Sequence, residues 1–161
     1  MENSGRVIQI SVNPQGGVPK HRVAEAQLLS GGVAGDKQRQ LKFHGGPQRA
    51  VCVYSYELIR DLQEEGHPIE PGTTGENLTL SGIDWTQMRP GAQLQVGEAL
   101  LEVASYTAPC NNIAASFVDG DFMRISQKTN AGWSRVYARV LNEALVREGD
   151  AAQLITQKET A

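Results

Sequence analysis

Short apolar runs separated by turn residues are the feature that most limits how this chain can fold. Residues 7–12 carry apolar side chains at alternate positions, the period of a strand buried on one face. Residues 50–54 form a continuous apolar run, which indicates a strand buried on both faces. A hairpin is predicted where residues 93–96 and 99–103 flank a two-residue turn that begins at Gly97. Strands at this spacing predict a mostly β sandwich or barrel.

One short helix is predicted between the strands. Ser55 is a suitable N-cap, because its hydroxyl can accept a hydrogen bond from a free amide of the first turn. Leu58, Ile59 and Leu62 form an apolar stripe at helical spacing. Gly66 is a natural stop, so the helix ends before it.

The segment of residues 133–144 fits two secondary structures. Its apolar residues recur at spacings of three and four, which is typical of an amphipathic helix, and its length favours that interpretation. Val136, Ala138 and Val140 also alternate as residues of a strand would. Periodicity alone leaves both structures open.

Length and composition decide among broad classes of protein. A chain of 161 residues suffices for one domain, with an expected core at about 6–156 and a polar tail at 157–161. No apolar run reaches the roughly 18 residues that a membrane helix needs. The first residues lack the apolar stretch of a signal peptide, and two cysteines fit a reduced compartment. We therefore expect a cytoplasmic protein that does not bind membranes.

The charges are unevenly distributed along the chain. The net charge is −3, which argues against a protein that binds nucleic acid with its whole surface. Residues 20–49 nevertheless carry +4 and the other residues −7, and this basic segment is interrupted by pairs of glycines. Glycines let backbone amides approach a ligand, and cations stabilise phosphate or carboxylate groups. The segment is either a site for small anions or a set of solvated loop charges.

The two cysteines have different surroundings. Cys52 lies in an apolar run and is expected to be an inert core residue. Cys110 follows Pro109, which cannot donate a ladder hydrogen bond, so the chain should leave its sheet here and expose the thiol at a pocket rim. Nearby cations would favour the thiolate, which can attack a carbon, carry a persulfide or bind a soft metal. The alternative is an incidental small residue in a loop.

Other chemical motifs are weak. The sequence has no C-x-x-C or H-x-x-x-H pair, so a structural zinc site is not expected. It also lacks the glycine-rich loops that bind nucleotides. Glu76 could serve as a catalytic acid, although a residue in this setting more often pairs with backbone amides or a basic side chain.

A set of short motifs follows a fixed order along nearly the whole chain, with G-V-P-K, H-G-G and G-E-N-L before P-C. Its residues are Gly17-Val18-Pro19-Lys20, Gly35-Asp36, His44-Gly45-Gly46-Pro47, Arg49-Ala50-Val51, Tyr54, Glu57, Gly75-Glu76-Asn77-Leu78, Gly82-Ile83, Gly91, Leu94, Val96-Gly97, Pro109-Cys110, Gly132-Trp133, Arg139-Val140-Leu141 and Gly149-Asp150. In this order the motifs are highly specific, and they resemble the MOSC domain, the C-terminal domain of molybdenum cofactor sulfurases.

The resemblance implies a closed β-barrel-like fold with a few peripheral helices, and it implies that the segment after Trp133 is a strand. In the family, the cysteine that matches Cys110 is the proposed sulfur carrier or the protein ligand to molybdenum. Some relatives bind the molybdenum cofactor (molybdopterin) and reduce N-hydroxylated bases and amidoximes. Members also occur fused to a pyridoxal-phosphate cysteine desulfurase domain, but pyridoxal phosphate is not expected in this chain.

Three functions follow from the resemblance, and all use Cys110. The first is an oxidoreductase component that reduces N-hydroxylated substrates, with Cys110 as the molybdenum ligand. Its electrons come from a separate electron donor. The second is a sulfur carrier that bears a persulfide on Cys110 and has a cysteine desulfurase as partner. The third is a non-catalytic module that binds the cofactor. The residues expected to hold the cofactor are Lys20, His44, Gly45, Gly46, Arg49, Glu76 and Asn77.

The sequence departs from the family pattern at two places. Many stand-alone relatives carry an arginine two positions before the Pro-Cys pair, whereas Tyr106-Thr107-Ala108 precede Pro109 here. Ala144 stands where the family usually has a glycine before its final hairpin. The first departure concerns how the cofactor would be anchored, and the second affects only a turn.

Overall fold

Strands dominate the structure, as the apolar patterns predict. The computed structural model describes residues 4–37 and 46–155. Within these ranges it has eleven strands, namely β1 (Ser4–Val12), β2 (His21–Val23), β3 (Glu25–Leu29), β4 (Gly32–Val33), β5 (Val51–Ser55), β6 (Leu78–Ser81), β7 (Gln93–Val96), β8 (Ala99–Tyr106), β9 (Val136–Asn142), β10 (Ala144–Arg147) and β11 (Ala151–Ile155). The same ranges hold one α-helix, α1 (Tyr56–Glu64), and short 3-10 helices at Pro47–Arg49, Trp85–Gln87, Asn111–Ser116, Val118–Gly120 and Phe122–Ile125.

Seven of the strands close into a barrel. Their order is β11-β7-β8-β9-β5-β6-β1, and β1 pairs back onto β11 to complete the ring. Every neighbouring pair is antiparallel except β5 and β6, which are parallel. Strands β10, β3 and β4 form a separate small sheet. Closure pairs the two edge strands with each other, and the prediction of a closed barrel with peripheral helices is confirmed.

Strand β1 performs the closure by pairing with different partners along its length. Residues 4–6 pair with β11, and residues 10–12 pair with β2. The opposite edge of β1 pairs with β6. Gly5 lies at the junction, where the backbone of β6 comes so close that a Cβ atom at this position would overlap the carbonyl oxygen of Ser81.

The local predictions hold in detail around the helix and the hairpin. The Ser55 hydroxyl accepts a hydrogen bond from the Leu58 amide at 3.2 Å and so caps α1. Gly66 follows the helix with a φ of 101°, and Gly97 turns the β7–β8 hairpin with a φ of 55°. None of the helices in the described ranges combines the length and the apolar character needed to cross a membrane.

The segment of residues 133–144 is a strand over its central part. In β9, Val136, Ala138 and Val140 are buried and alternate with more exposed residues. The helix that the length of the segment favours is therefore wrong, and the strand implied by the family resemblance is confirmed. Pairing with β5 and β8 on both sides decides the outcome, because tertiary pairing overrides an ambiguous local period.

We expect Gly5→Ala to destabilise the protein by about 1–3 kcal/mol, because the added methyl group overpacks the junction between β1 and β6. Gly31→Ala is the matched control, since a Cβ there meets no atom within 4 Å. Urea unfolding measures both changes. Equal free energies of unfolding for the two variants would contradict this account of the barrel junction.

Candidate functional site

A cavity of about 350 Å³ opens where loops meet strands β5 and β9. Its walls come from parts of three segments, within residues 17–20, at Thr74, Gly75 and Asn77, and within 107–113, together with Lys37, Cys52, Arg135 and Tyr137. These segments are far apart in sequence and meet because β1, β6, β5, β9 and β8 are neighbours in the sheet. The volume lies within the range of about 300–1,000 Å³ typical of small-molecule sites.

Cys110 lies on this cavity and is exposed. It follows the exit of β8 from the sheet and directly precedes the 3-10 helix Asn111–Ser116. Its carbonyl oxygen accepts a hydrogen bond from the Ile113 amide at 3.1 Å, which fixes the start of that helix. The thiol is thus presented at the cavity, as expected for a cysteine placed after a proline at a strand end.

Cys52 lines the same cavity but is only 6% exposed. Its sulfur lies 3.8 Å from the Thr107 hydroxyl oxygen. Burial raises the pKa of the Cys52 thiol, because the apolar surroundings disfavour the thiolate. Cys52 therefore combines a core position with a place in the cavity wall, and its sulfur is a poor nucleophile.

Lys20 is held at the cavity by a network around the Asp36 carboxylate. The Lys20 ammonium lies 2.6 Å from Asp36 Oδ2, and both side chains are nearly buried. The same carboxylate accepts hydrogen bonds from the Asn77 side-chain amide at 2.9 Å and from the Asn13 backbone amide at 2.8 Å. Three motifs that are separate in the sequence, G-V-P-K, G-D and G-E-N-L, therefore converge on one buried ion pair.

Asn77 lines the cavity and also joins its walls. Its Oδ1 atom accepts a hydrogen bond from the Cys52 backbone amide at 3.0 Å, which fixes β5. Its Nδ2 atom donates to the carbonyl oxygen of Ser11 at 3.1 Å in addition to Asp36. Every polar atom of this buried side chain is engaged with protein partners, so Asn77 positions the wall around it.

Glu76 is fully buried, and its carboxylate organises the loop behind the cavity wall. It accepts hydrogen bonds from the Gly72 amide at 3.0 Å, from the Thr74 hydroxyl at 2.7 Å and from the Thr79 hydroxyl at 3.1 Å. The interpretation of Glu76 as a residue that pairs with backbone and neighbouring groups agrees with these contacts.

Arg135 is a cavity residue that sequence reasoning missed. Its guanidinium is buried, with the side chain only 5% exposed, and it lines the cavity. Nη1 donates to the carbonyl oxygen of Thr74 at 2.6 Å, and Nη2 donates to that of Ala108 at 3.4 Å. The available signal was a cation immediately before the alternating apolar residues of β9.

Two further predicted cofactor residues, Gly46 and Arg49, are described in the structure but do not line the cavity. Arg49 ends the 3-10 helix Pro47–Arg49, and its guanidinium carbon lies 5.4 Å from the ring centroid of Tyr137, a cavity residue. Burial raises the pKa of Tyr137 to about 12, so its hydroxyl stays protonated at neutral pH. Gly46 precedes this helix with a φ of 89°. His44 and Gly45 lie outside the described residues.

Comparison with known proteins now identifies the family. Residues 40–153 match the family model of the MOSC domain. The chain belongs to the MOSC domain family. It is 33% identical over 126 residues to the uncharacterized protein YflK of Bacillus subtilis, which covers 78% of this chain and 56% of YflK.

Other MOSC relatives give the same picture. The protein YiiM of Escherichia coli is 32% identical over 114 residues, covering 68% of this chain and 51% of YiiM. The chain thus spans about half the length of the curated relatives it matches. The crystal structure of YiiM from Geobacillus stearothermophilus superposes with a TM-score of 0.71 at 24% identity, covering 94% of this chain and 75% of that one, and so shares the fold.

We expect the two thiols to differ sharply in reactivity. Cys110 is exposed, whereas the pKa of the buried Cys52 thiol is raised, so at pH 8 only Cys110 should react rapidly with a disulfide reagent such as dithionitrobenzoate. Cys110→Ser should abolish the fast phase, and Cys52→Ala should leave it unchanged. A fast phase that survives in Cys110→Ser would contradict the placement of the two sulfurs.

We expect Asn77→Asp to cost about 2–4 kcal/mol of stability, because it sets a second carboxylate against Asp36 and the Ser11 carbonyl in a buried place. Asn142→Asp is the matched control. Its side-chain amide also donates to a carbonyl oxygen, that of Glu98 at 2.8 Å, but at an exposed position where water replaces the contact, so we expect a loss of about 1 kcal/mol or less. Chemical unfolding at neutral pH measures both. An unchanged free energy of unfolding in Asn77→Asp would show that the network does not support the cavity.

Proposed function

We propose that this MOSC protein binds the molybdenum cofactor with Cys110 as the protein ligand to molybdenum, and that it acts as an oxidoreductase component. The proposed substrates are N-hydroxylated compounds. One observation carries the proposal: an exposed thiol shares a cavity with Lys20, Lys37 and Arg135, and within the described residues no Asp or Glu lines that cavity.

The chemistry of the thiol fits the metal. A thiolate is a soft donor, suited to a metal that is already held by the sulfur atoms of a dithiolene. Across the described ranges, 4–37 and 46–155, no group of three or more His, Cys, Asp and Glu side chains is arranged to hold a metal ion. A metal at this cavity would therefore take its other ligands from a cofactor, with Cys110 completing the set.

The electrostatics of the cavity fit the anionic part of the cofactor. Lys20 and Arg135 are nearly buried cations that line the cavity, and cations with backbone amides are the groups that hold phosphate. Gly75, with a φ of 85°, brings backbone close to the cavity without a side chain. His44, Gly45, Gly46 and Arg49 remain proposed cofactor residues from the basic segment.

In the proposed reaction, the protein, the cofactor and an electron donor have different roles. When bound, the cofactor supplies a metal that exchanges electrons with the substrate. Reduction of an N–O bond consumes an electron pair and protons and releases water, so an electron donor is needed. The sequence carries no flavin, haem or iron–sulfur signature, and we therefore propose a separate electron-donor partner. The role of Cys110 is coordination, and the role of the cationic wall is to hold and orient the cofactor.

The metal content of the purified protein tests this proposal. Wild-type protein from molybdenum-replete cells should contain stoichiometric molybdenum, and Cys110→Ser should lose it, because the only exposed thiol of the described cavity is removed. Cys52→Ala is the matched control and should keep the metal. Elemental analysis by mass spectrometry gives the readout.

The contrary outcomes are specific. Metal-free wild-type protein with sulfane sulfur on Cys110 would overturn the proposal in favour of a sulfur carrier served by a cysteine desulfurase. If the metal-loaded protein fails to reduce an N-hydroxylated purine with an artificial electron donor, the catalytic role is refuted and a non-catalytic cofactor-binding module is supported.

A further inference from the structure

Among the described residues, no acidic side chain is a direct partner of the Arg135 charge. The acceptors of its guanidinium in these ranges are two carbonyl oxygens, those of Thr74 and Ala108. Its Nε atom is buried without a hydrogen-bond partner, and no carboxylate of the described residues lies within ion-pair distance. Burying a cation in this state is costly, so the arrangement indicates that an anion from outside the chain completes it.

The nearby buried carboxylate of Glu76 makes no direct contact with the Arg135 guanidinium. Glu76 is linked to Arg135 through Thr74, whose hydroxyl donates to the carboxylate while its carbonyl accepts from the guanidinium. The oxygens of Glu76 are taken by the Gly72 amide and by the Thr74 and Thr79 hydroxyls. The guanidinium of Arg135 thus keeps N–H groups that have no protein acceptor among the described residues.

The other nearly buried cation of the cavity is already neutralised. Lys20 lies 2.6 Å from Asp36, and that pair is itself anchored by Asn77. Arg135 is therefore the buried cavity cation whose charge is directly available to a ligand. The planar guanidinium also matches the oxygens of a phosphate group in a way that an ammonium does not.

We infer that Arg135 is the anchor for a phosphate-type oxyanion in this cavity. The inference deepens the proposed function, on which it rests for the identity of the natural ligand, the phosphate-bearing cofactor. Thr74 and Ala108 hold the guanidinium in place through their carbonyls, and the oxyanion accepts hydrogen bonds from the N–H groups that remain. Arg135 is a binding residue and takes no part in electron transfer.

Inorganic phosphate is the probe that tests Arg135. Binding is measured by calorimetry at fixed ionic strength on the full chain purified from cells that cannot make the molybdenum cofactor, so that no cofactor phosphate occupies the site. Arg135→Met should weaken phosphate binding by about tenfold or more, the factor expected for a lost charge-assisted hydrogen bond. Phosphate should raise the melting temperature of the wild type and not that of Arg135→Met. A merely structural arginine would lower the melting temperature equally with and without phosphate.

Arg139→Met is the matched control. Arg139 lies on β9 and also has a buried, unpartnered Nε, but it pairs with Glu102 at 2.6 Å and is not part of the cavity wall. Its variant should bind phosphate as the wild type does. If Arg135→Met does not fold, Arg135→Lys is measured instead and should bind more weakly than the wild type, because it keeps the charge and loses the fork.

Two results would overturn the inference: no phosphate binding by the wild type, or unchanged binding by the Arg135 variant that folds. The outcome is separate from that of the proposed function. Cys110→Ser should lose molybdenum and keep phosphate binding, because the sulfur and the guanidinium serve different parts of a ligand. Phosphate binding that depends on Arg135, in a protein that takes up no molybdenum even in molybdenum-replete cells, would sustain the inference and refute the proposed function.

Discussion

The buried Asp36 carboxylate is the interaction on which the cavity depends. It binds the Lys20 ammonium, the Asn77 side-chain amide and the Asn13 backbone amide at the same time. Asn77 in turn holds the amide of Cys52 in β5. A buried charge is stable only where paired and hydrogen-bonded, so one carboxylate ties the segment after β1, the loop before β6 and the barrel wall into a fixed arrangement.

The barrel and the hydrogen-bond network around Asp36 make different contributions to the cavity. Strands β8, β9 and β5 lie side by side in the sheet, and segments that follow β1 and β8 or precede β6 and β9 meet beside them to form the cavity. The network then determines which cavity cations are neutralised by the protein itself. Lys20 is paired with Asp36, whereas the acceptors of Arg135 among the described residues are carbonyl oxygens. The cavity is therefore cationic without being a cluster of solvated lysines.

Much of the fold could be predicted from local chemistry. The run at β5, the Ser55 cap and the turn at Gly97 are each determined by residues adjacent in sequence. Segment 133–144 could not be assigned in this way, because its period fits a helix and a strand equally. Pairing with β5 and β8 decided it, and that pairing depends on residues far away along the chain.

The candidate site divides along the same line. Residues close together in the sequence were enough to predict the family, the strand exit at Pro109 that presents Cys110, and the basic segment that contains Lys20. The pairing of Lys20 with Asp36, the internal hydrogen bonds of Glu76 and the position of Arg135 in the cavity wall depend on the folded chain. A charge acts through its neighbours in space, and in a closed barrel those neighbours come from distant parts of the chain.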